Sequence, residues 1–316
     1  MSCEISSTPV KKSLKTNLII PPSPFLKTLG VGTGVQVYEF KRSPLADKFR
    51  SPWAIKKIVK RKLNDKELKK RLYSEAKVLK NLNHPNIVGF RCYIESPNGD
   101  ILAMEECTTS LGDLIEYKRD NGESSPYPVN NILKVGHDVS CALNYLHNTV
   151  LILHGDIKSF NVLVKNDFEM CKLCDFGVCL PLKKDGTVDE TQAGEEFEYV
   201  GTLAWSAPEI FCFPQKVTTN ADVYSFGAVL YEMLTLNIPI NEEVCKLLDD
   251  TNDSEISDID CSMEVMKFNL PDIDYGDEYN IILELMYDCT SVKMEDRPNA
   301  GTLEIIFKHS LKHSSK

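Results

Sequence analysis

The spacing of apolar residues predicts three helices in the chain. Between residues 65 and 82, and again between 129 and 147, apolar side chains recur every three or four positions, which is typical of a helix with one buried face. Residues 221 to 235 are apolar on nearly every side, so we expect this helix to lie inside the core. The residues that define the first two faces are Leu68, Leu72, Ala76 and Leu79, followed by Ile132, Val135, Val139, Leu143 and Leu146.

Short apolar runs and alternating positions predict strands before residue 105. Residues 35 to 38 alternate, residues 53 to 56 form a compact apolar run, and two more strands are expected around 88 to 94 and 101 to 104. The turn residues Ser, Pro, Asn and Gly at 96 to 99 separate the last two strands.

A hairpin with polar residues at both ends is predicted near the middle of the chain. Residues 162 to 164 form one strand and residues 172 to 174 the other. Asp156 and Asn161 precede the hairpin, and Asp175 follows it, 19 positions after Asp156 (175 minus 156). Phosphoryl transfer needs one carboxylate to orient a hydroxyl, and a second carboxylate with an amide oxygen to hold magnesium. Two unrelated, solvated aspartates are the alternative interpretation.

Composition suits a soluble globular protein. Of the 316 residues, 42% are hydrophobic and 26% are charged. We expect no membrane association, because no apolar run reaches membrane-spanning length and the N-terminus lacks the apolar core of a signal peptide. Eleven cysteines without regular spacing predict reduced thiols in a cytoplasmic or nuclear protein.

The net charge of −10 comes from one segment. Residues 241 to 279 contain 13 acidic residues against Lys246 and Lys267, a balance of −11 (2 minus 13), which leaves about +1 for the remainder (−10 minus −11). A chain of this charge is not expected to bind nucleic acid. We interpret about 241 to 275 as a solvated insert, which either aids solubility or docks a basic partner.

Both ends of the chain are polar. Residues 1 to 24 are rich in Ser, Thr, Lys and Pro, and we predict a disordered tail there. Residues 313 to 316 read HSSK and offer no apolar terminal residue of the kind that PDZ domains bind, so we do not expect a PDZ-domain partner.

The chain resembles the eukaryotic protein kinases over about residues 25 to 312, and within them the MAP kinase kinases. The matching stretches are LGVGTGVQVY (29–38), WAIK (53–56), HPNIV (84–88), HGDIKSFN (154–161), CDFG (174–177), APE (207–209) and DRP (296–298). The resemblance implies an α+β, two-lobed fold. A small antiparallel β N-lobe with one helix (25 to 104) would join through a hinge (105 to 109) to a larger, mostly helical C-lobe (110 to 312).

The resemblance also implies ATP and Mg²⁺ as cofactors and protein substrates, MAP kinases among them. The implied catalytic residues are Asp156, Lys158, Lys56 and Glu75, with Lys56 paired to Glu75. The implied Mg²⁺ ligands are Asn161 and Asp175. The implied ATP contacts are Gly30, Gly32, Gly34, Val37, Ala54, Lys56, Met104, Glu105, Cys107 and Leu163. On the residues alone, Lys56 could be one of several surface lysines and Glu75 an ordinary helix charge.

Further positions match the family's framework. Lys158 together with Thr202 is the combination found in kinases specific for Ser and Thr. The resemblance places Asp222 beneath the backbone of the catalytic loop and pairs Arg297 with Glu209.

Two positions depart from the family pattern. Val35 replaces the third glycine of the glycine-rich loop, and Gly155 replaces an arginine that usually docks a phosphate on the activation segment, residues 175 to 209. We expect the polar middle of that segment, 183 to 200, to be a mobile loop. Without the arginine, we predict that activity does not depend on phosphorylation between 187 and 199. A pseudokinase scaffold is the alternative, which the intact catalytic and metal-binding residues oppose.

Cys171 and Cys174 have the C-x-x-C spacing of metal sites. We place them on a strand, where positions three apart face opposite sides, and the chain has no second pair at suitable spacing. We therefore expect structural cysteines here, with Cys174 close to the nucleotide.

Overall fold

The computed structural model describes residues 26–32, 34–42, 51–96, 99–194, 197, 199–211, 216–239, 268 and 270–314. The predicted tail at 1 to 24 and most of the acidic insert at 241 to 275 lie outside the described residues. The described part has an antiparallel sheet in its N-terminal third and is mostly helical afterwards, which confirms the predicted α+β class.

A five-stranded antiparallel sheet forms the N-terminal region, in the order β1-β2-β3-β5-β4. Its strands are β1 (Thr28–Gly32), β2 (Val35–Phe40), β3 (Trp53–Ile58), β4 (Phe90–Ile94) and β5 (Ile101–Glu105). The predicted start of β4 at residue 88 is wrong. The N–H of Val88 donates to the carbonyl of Leu173 at 2.9 Å, so this stretch bonds to the other half of the molecule before β4 begins.

The helix α1 (Lys66–Asn81) packs against this sheet. It begins one residue later than the prediction because Asp65 is its N-cap. One carboxylate oxygen of Asp65 accepts hydrogen bonds from the N–H groups of Glu67 and Leu68, both at 3.1 Å, and so satisfies two donors that the first turn leaves unpaired. The buried residues of α1 are Leu72, Glu75, Ala76 and Leu79.

Six further helices follow in the described part of the chain. They are α2 (Leu111–Asp120), α3 (Val129–Asn144), α4 (Glu190–Ala193), α5 (Thr219–Thr235), α6 (Asn280–Cys289) and α7 (Ala300–Ser314). Every residue of α5 from Ala221 onward is buried, as its apolar composition predicted. The predicted helix over 129 to 147 is present, but beyond Asn144 it widens into π turns at Tyr145–Val150. Apolar spacing does not distinguish these turns from α turns.

Five short strands lie between β5 and α4. They are β6 (Thr109–Ser110), β7 (Ile152–Leu153), β8 (Val162–Lys165), β9 (Met170–Leu173) and β10 (Leu180–Pro181). β8 and β9 form the predicted hairpin, and β7 pairs with β10. The strand β9 ends at Leu173, so Cys174 lies just beyond it and not on the strand as predicted.

Two apolar clusters stabilise the described part of the molecule. The main core is continuous from the sheet to the helices and includes Phe176, which is 1% exposed. The second core cluster consists of Leu153, Leu182, Val188, Tyr199, Ala207, Ile210, Val217, Ala221 and Tyr224. None of the described helices is both long and apolar enough to pass through a bilayer.

Candidate active site

Lys56 joins two carboxylates at the centre of the molecule. It lies on β3, and its Nζ is 2.8 Å from Glu75 Oε2 on the buried face of α1 and 2.8 Å from Asp175 Oδ1. Its side chain is 8% exposed, so it is not one of the surface lysines. Burial acts to lower the pKa of Lys56, but the charges of Asp175 and Glu75 raise it above its ordinary value. The ammonium group therefore stays protonated.

The pKa values of the two carboxylates around Lys56 are shifted in opposite directions. Burial raises the pKa of Glu75 to about 7, while the charge of Lys56 opposes this rise. Removal from water also acts to raise the pKa of Asp175, but Lys56 outweighs it and holds this pKa below the ordinary value. The Asp175 side chain is 40% exposed, so an ionised carboxylate is open to a ligand at this point.

Asp156 is held in a closed ring of hydrogen bonds. Its Oδ1 accepts from Thr202 Oγ1 at 2.6 Å, and its Oδ2 accepts from Lys158 Nζ at 2.7 Å. Lys158 Nζ also donates to Thr202 Oγ1 at 2.7 Å, which closes the ring. The carboxylate is therefore fixed in orientation before any substrate arrives, as catalysis by positioning requires.

Asp222, on the buried helix α5, supports the catalytic loop from beneath. Its Oδ2 accepts from the N–H of His154 at 2.8 Å, and its Oδ1 from the N–H of Gly155 at 2.9 Å. The ring of His147 lies 2.8 Å from Oδ2. Burial acts to raise the pKa of Asp222, but the bond to His147 and the nearby charges keep it below the ordinary value. The contact that the resemblance implied is present.

Asn161 and Asp175 supply suitable ligands for a magnesium ion. The amide nitrogen of Asn161 donates to the carbonyl of Asp156 at 2.7 Å and to Asp156 Oδ2 at 3.0 Å, which leaves the amide oxygen as its metal ligand. Asp175 binds Lys56 through one oxygen. Carboxylate and amide oxygens are the hard ligands that Mg²⁺ prefers, so the residues present fit the ion.

The apolar residues expected around the adenine base lie close to Lys56. Ala54 pairs with Met104 across β3 and β5, and Val37 pairs with Lys56 across β2 and β3. Ala54 and Met104 belong to the main core, and Val37 and Leu163 pack against it, partly buried. The sheet thus brings Val37, Ala54 and Met104 close to Lys56, and the contact of all four apolar residues with a nucleotide stays a prediction.

The predicted hinge has an ion-pair network that we did not expect. The N–H of Glu105 donates to the carbonyl of Gly89 at 2.7 Å, so only its carbonyl could bond to a base. Its carboxylate lies 3.3 Å from Lys165 Nζ and 3.1 Å from Lys172 Nζ, which ties the end of β5 to the β8–β9 hairpin. Cys107 is buried, and burial raises the pKa of its thiol to about 11.

The glycine-rich stretch forms the β1–β2 hairpin. Gly32 pairs with Val35, so Val35 lies in a strand and not at the tip. Gly34 has a φ of +84°, and a Cβ on it would meet Leu68 Cδ1 at 2.6 Å, so this position requires glycine. Gly30 has open space around it, because a Cβ on it would meet no other atom within 4 Å.

Backbone hydrogen bonds join the described part of the activation segment to the rest of the molecule, and its predicted mobility stays a prediction. The N–H of Leu182 donates to the carbonyl of Leu151 at 2.8 Å, and the N–H of Thr219 donates to the carbonyl of Gly186 at 3.0 Å. Thr187 forms a β-bridge with Thr218, and the short helix α4 follows. Backbone bonds to the start of α5 therefore hold a polar stretch that has no apolar pattern of its own.

Gly155 occupies a backbone position that disfavours the usual arginine. Its φ is +78°, and a Cβ would lie 3.1 Å from the carbonyl oxygen of Val178. A side chain here would be strained by the left-handed conformation and crowded by the neighbouring carbonyl. The substitution is therefore part of the local backbone geometry.

The end of the activation segment is anchored to the helical region. Arg297 donates to both carboxylate oxygens of Glu209, at 2.7 and 2.8 Å, and its guanidinium lies over the Tyr224 ring at 4.9 Å. This expected pair is buried at its arginine end, where the side chain is 0% exposed. Such a bidentate geometry gives a strong, directional link.

Glu232 links the catalytic loop to the activation segment, which the sequence did not indicate. It accepts from Ser159 Oγ at 2.8 Å and from Trp205 Nε1 at 2.7 Å. Burial raises the pKa of Glu232 to about 7, while these two bonds oppose the rise. The only sequence signal for this contact was the presence of an acidic residue, Glu232, inside a helix that is otherwise mostly apolar.

Cys171 and Cys174 are free thiols on either side of the end of β9. Cys171 is 0% exposed, and burial raises its pKa to about 12. Across the described ranges, no three His, Cys, Asp or Glu side chains are grouped so that they could hold a metal ion.

An α+β fold with a buried Lys–Glu pair, an aspartate fixed by Lys158 and Thr202, and a second aspartate that binds the lysine of that pair is the arrangement of the protein kinase class. The family model described as the protein kinase domain matches residues 24–312, so the chain belongs to the protein kinase family. It is 42% identical over 296 residues to the human lymphokine-activated killer T-cell-originated protein kinase, covering 89% of this chain and 88% of the human protein.

More distant relatives share only the kinase region. A probable serine/threonine-protein kinase of Dictyostelium discoideum is 35% identical over 73% of this chain and 21% of that protein. An inactive leucine-rich repeat receptor-like serine/threonine-protein kinase of Arabidopsis thaliana is 30% identical over 70% of this chain and 32% of that protein. Since a relative named as inactive is among them, family membership alone does not decide activity.

Proposed function

We propose that this chain is an ATP- and Mg²⁺-dependent protein kinase that transfers the γ-phosphoryl group to Ser and Thr, and also to Tyr, in protein substrates. The observation that supports it best is the position of Lys56 Nζ, 2.8 Å from both Glu75 and Asp175. This arrangement places a protonated amine next to the metal-binding carboxylate, where nucleotide phosphates would need both.

The residues of the chain then act mainly by position and charge. Asp156 orients the substrate hydroxyl and receives its proton, and Lys158 neutralises charge on the transferred group. Thr202 keeps both side chains in place through its two bonds. Magnesium, when bound by Asn161 and Asp175, neutralises charge on the phosphates.

Magnesium-dependent phosphate transfer to a generic basic protein tests this proposal. Asp156→Asn should lower transfer by about 10²–10⁴-fold, because the amide cannot accept the proton. The matched control is Asp167→Asn, the same change at an exposed position in the β8–β9 turn, which should leave transfer unchanged. Equal transfer by wild type and Asp156→Asn would point to a contaminating kinase and to the pseudokinase scaffold.

The acceptor class needs its own test. Three peptides that differ only in a central Ser, Thr or Tyr should all be phosphorylated, with Ser and Thr preferred, because Lys158 and Thr202 resemble the Ser/Thr type. A chain that modifies only the Tyr peptide would contradict this preference, and no transfer to Tyr would restrict the activity to Ser and Thr.

We further propose that the protein substrates include MAP kinases, and that the enzyme works in mitotic or MAP kinase signalling in the cytoplasm or nucleus. The similarity to MAP kinase kinases is the support for this part. Phosphorylation of purified, inactive MAP kinases, followed by mapping of the modified residues, would test it, and unmodified MAP kinases would refute it.

A further inference from the structure

The outer face of α1 is a row of exposed lysines. We call it the lysine stripe and define it as Lys66, Lys69, Lys70, Lys77 and Lys80, all of which are exposed. With 3.6 residues per turn, the five fall within roughly 100° of arc on the helix and extend along about 21 Å of it. Tyr73 lies in the middle of this arc and is 52% exposed.

None of the five lysines of the stripe is in an ion pair within the described part of the chain; the exposed acid of α1, Glu67, lies at the edge of the stripe, three positions before Lys70. The ion pairs within the described part of the chain involve other lysines, namely Lys41, Lys56, Lys118, Lys134, Lys158, Lys165 and Lys172. Lysines three or four positions apart repel each other and destabilise a helix by about 0.2–0.5 kcal/mol per pair. Lys66 and Lys69 also lie at the N-terminal end of α1, where the helix dipole disfavours cations.

A bound acidic segment would offset the repulsion between the lysines and their unfavourable interaction with the helix dipole. We propose that the lysine stripe is a docking surface for an acidic segment of a partner protein, with an apolar residue among the carboxylates that packs on Tyr73. The observation that supports it is charge complementarity: five cations on one face, without an acid among them, in a chain whose net charge is −10. That overall charge disfavours extended polyanions such as duplex DNA or an anionic membrane, while a short peptide touches only the stripe.

Binding of a labelled acidic peptide to the full chain tests this proposal directly, whether or not the chain transfers phosphate. The probe is a synthetic twelve-residue peptide, DDTNDSEISDID, which copies residues 249 to 260 and contains six acids and two isoleucines. Fluorescence anisotropy should show binding that weakens from about 50 mM to about 500 mM NaCl, since salt screens exposed charges. The same peptide with Asn and Ser in place of its acids should not bind.

Variants locate the binding on the stripe. Lys70→Gln with Lys77→Gln should weaken the peptide by about fivefold, because each exposed charge contributes little by itself. The matched control is Lys308→Gln with Lys312→Gln, two exposed lysines on α7, which should bind as wild type does. Circular dichroism checks that both double variants are folded, and Lys66→Gln with Lys80→Gln repeats the test at the ends of the stripe.

Several outcomes would overturn the proposal. These are no binding of the peptide to wild type, or equal weakening in the stripe and control variants. Tighter binding of duplex DNA or phosphatidylserine vesicles through the same lysines would assign the surface to those partners instead. Self-association of wild type at low salt that the stripe variant loses would make a second copy of this chain the occupant and refute an external partner.

Discussion

The catalytic centre and the activation segment are neighbours in the structure, but different forces stabilise them. Charged groups hold the catalytic centre, with Lys56 between two carboxylates and Asp156 bound to Lys158 and Thr202. The middle of the activation segment, between 182 and 194, rests on the second core cluster and on backbone hydrogen bonds to the start of α5, while the Arg297–Glu209 pair anchors its end. Charge-assisted hydrogen bonds fix the orientation of the side chains that they join. Apolar contacts and backbone hydrogen bonds hold a segment in place without additional charged groups.

The prediction that activity does not depend on a phosphate anchor rests on this difference. The backbone at Gly155 disfavours the arginine that would dock a phosphate on the activation segment. The apolar residues Leu182 and Val188, both under 5% exposed, attach the segment by packing. Four sets of substitutions test this comparison between the catalytic centre and the activation segment.

The largest effect is expected at the charged centre. Asp175→Asn removes a full charge from the metal-binding position, so phosphate transfer should fall by about 10²–10³-fold. The fold should persist, because the side chain keeps its shape and is 40% exposed. Transfer is measured at saturating Mg²⁺, and Asp185→Asn in the activation segment is the control that should keep its activity.

A pH-dependent effect is expected where the two regions meet, at Glu232. Because its folded pKa of about 7 exceeds the ordinary value of 4.5, the folded state binds the proton more tightly. The free energy of unfolding should therefore decrease as pH rises from about 4.5 to about 7, by up to about 3 kcal/mol, and stay level above that. Glu232→Gln should remove this contribution.

Urea unfolding of wild type and Glu232→Gln at a series of pH values measures the contribution of Glu232 to the free energy of unfolding. The pH dependence that comes from all other titratable groups is common to both proteins and cancels in the difference. The stability of the variant relative to wild type should improve on going from pH 4 to pH 8. A difference that is independent of pH would show that folding does not shift the pKa of Glu232.

Gly155 tests whether local backbone geometry excludes a side chain. Gly155→Ala should lower stability by about 2 kcal/mol, partly through the left-handed conformation and partly through contact with the carbonyl of Val178. Gly122 is the matched control: its φ is +75°, but nothing lies within 4 Å of its added Cβ. Gly122→Ala should therefore cost only about 1 kcal/mol, and equal losses in urea unfolding would contradict the role of Val178.

The smallest effect is expected from the hydroxyl groups of the activation segment. Thr187→Val, Thr191→Val and Tyr199→Phe together remove every phosphorylatable hydroxyl between 187 and 199 and keep the shape of each side chain. Because apolar and backbone contacts hold the segment, activity of the purified triple variant should stay within about threefold of wild type. Abolished activity would show that a phosphate is needed after all.

Motifs predicted the contacts between residues whose types are diagnostic of the family. Lys56 with Glu75 and Arg297 with Glu209 belong to this group, since each stands in a recognisable stretch. The contact between Glu232 and Ser159 could not be predicted, because the two are 73 positions apart and neither stands in a pattern that names a partner. Distant polar pairs depend on packing of the whole chain, which local spacing does not encode.

The same limit applies to backbone conformation. The period of apolar residues located α3, but it could not reveal the π turns at Tyr145–Val150, which still bury Leu146 and His147. Nor could composition show that residues 183 to 194 are bound to α5, because their bonds come from main-chain groups that every residue has.

Lys56 contacts two carboxylates, so its complete set of ion pairs forms only when both carboxylates are in place at the same time. One ammonium group meets a carboxylate from α1 and a carboxylate that follows β9. A shift of the helix and a shift of Asp175 would each leave the amine with a single carboxylate partner. A ligand bound to the outer face of α1 would therefore act on the contact between Lys56 and Glu75 without touching either residue.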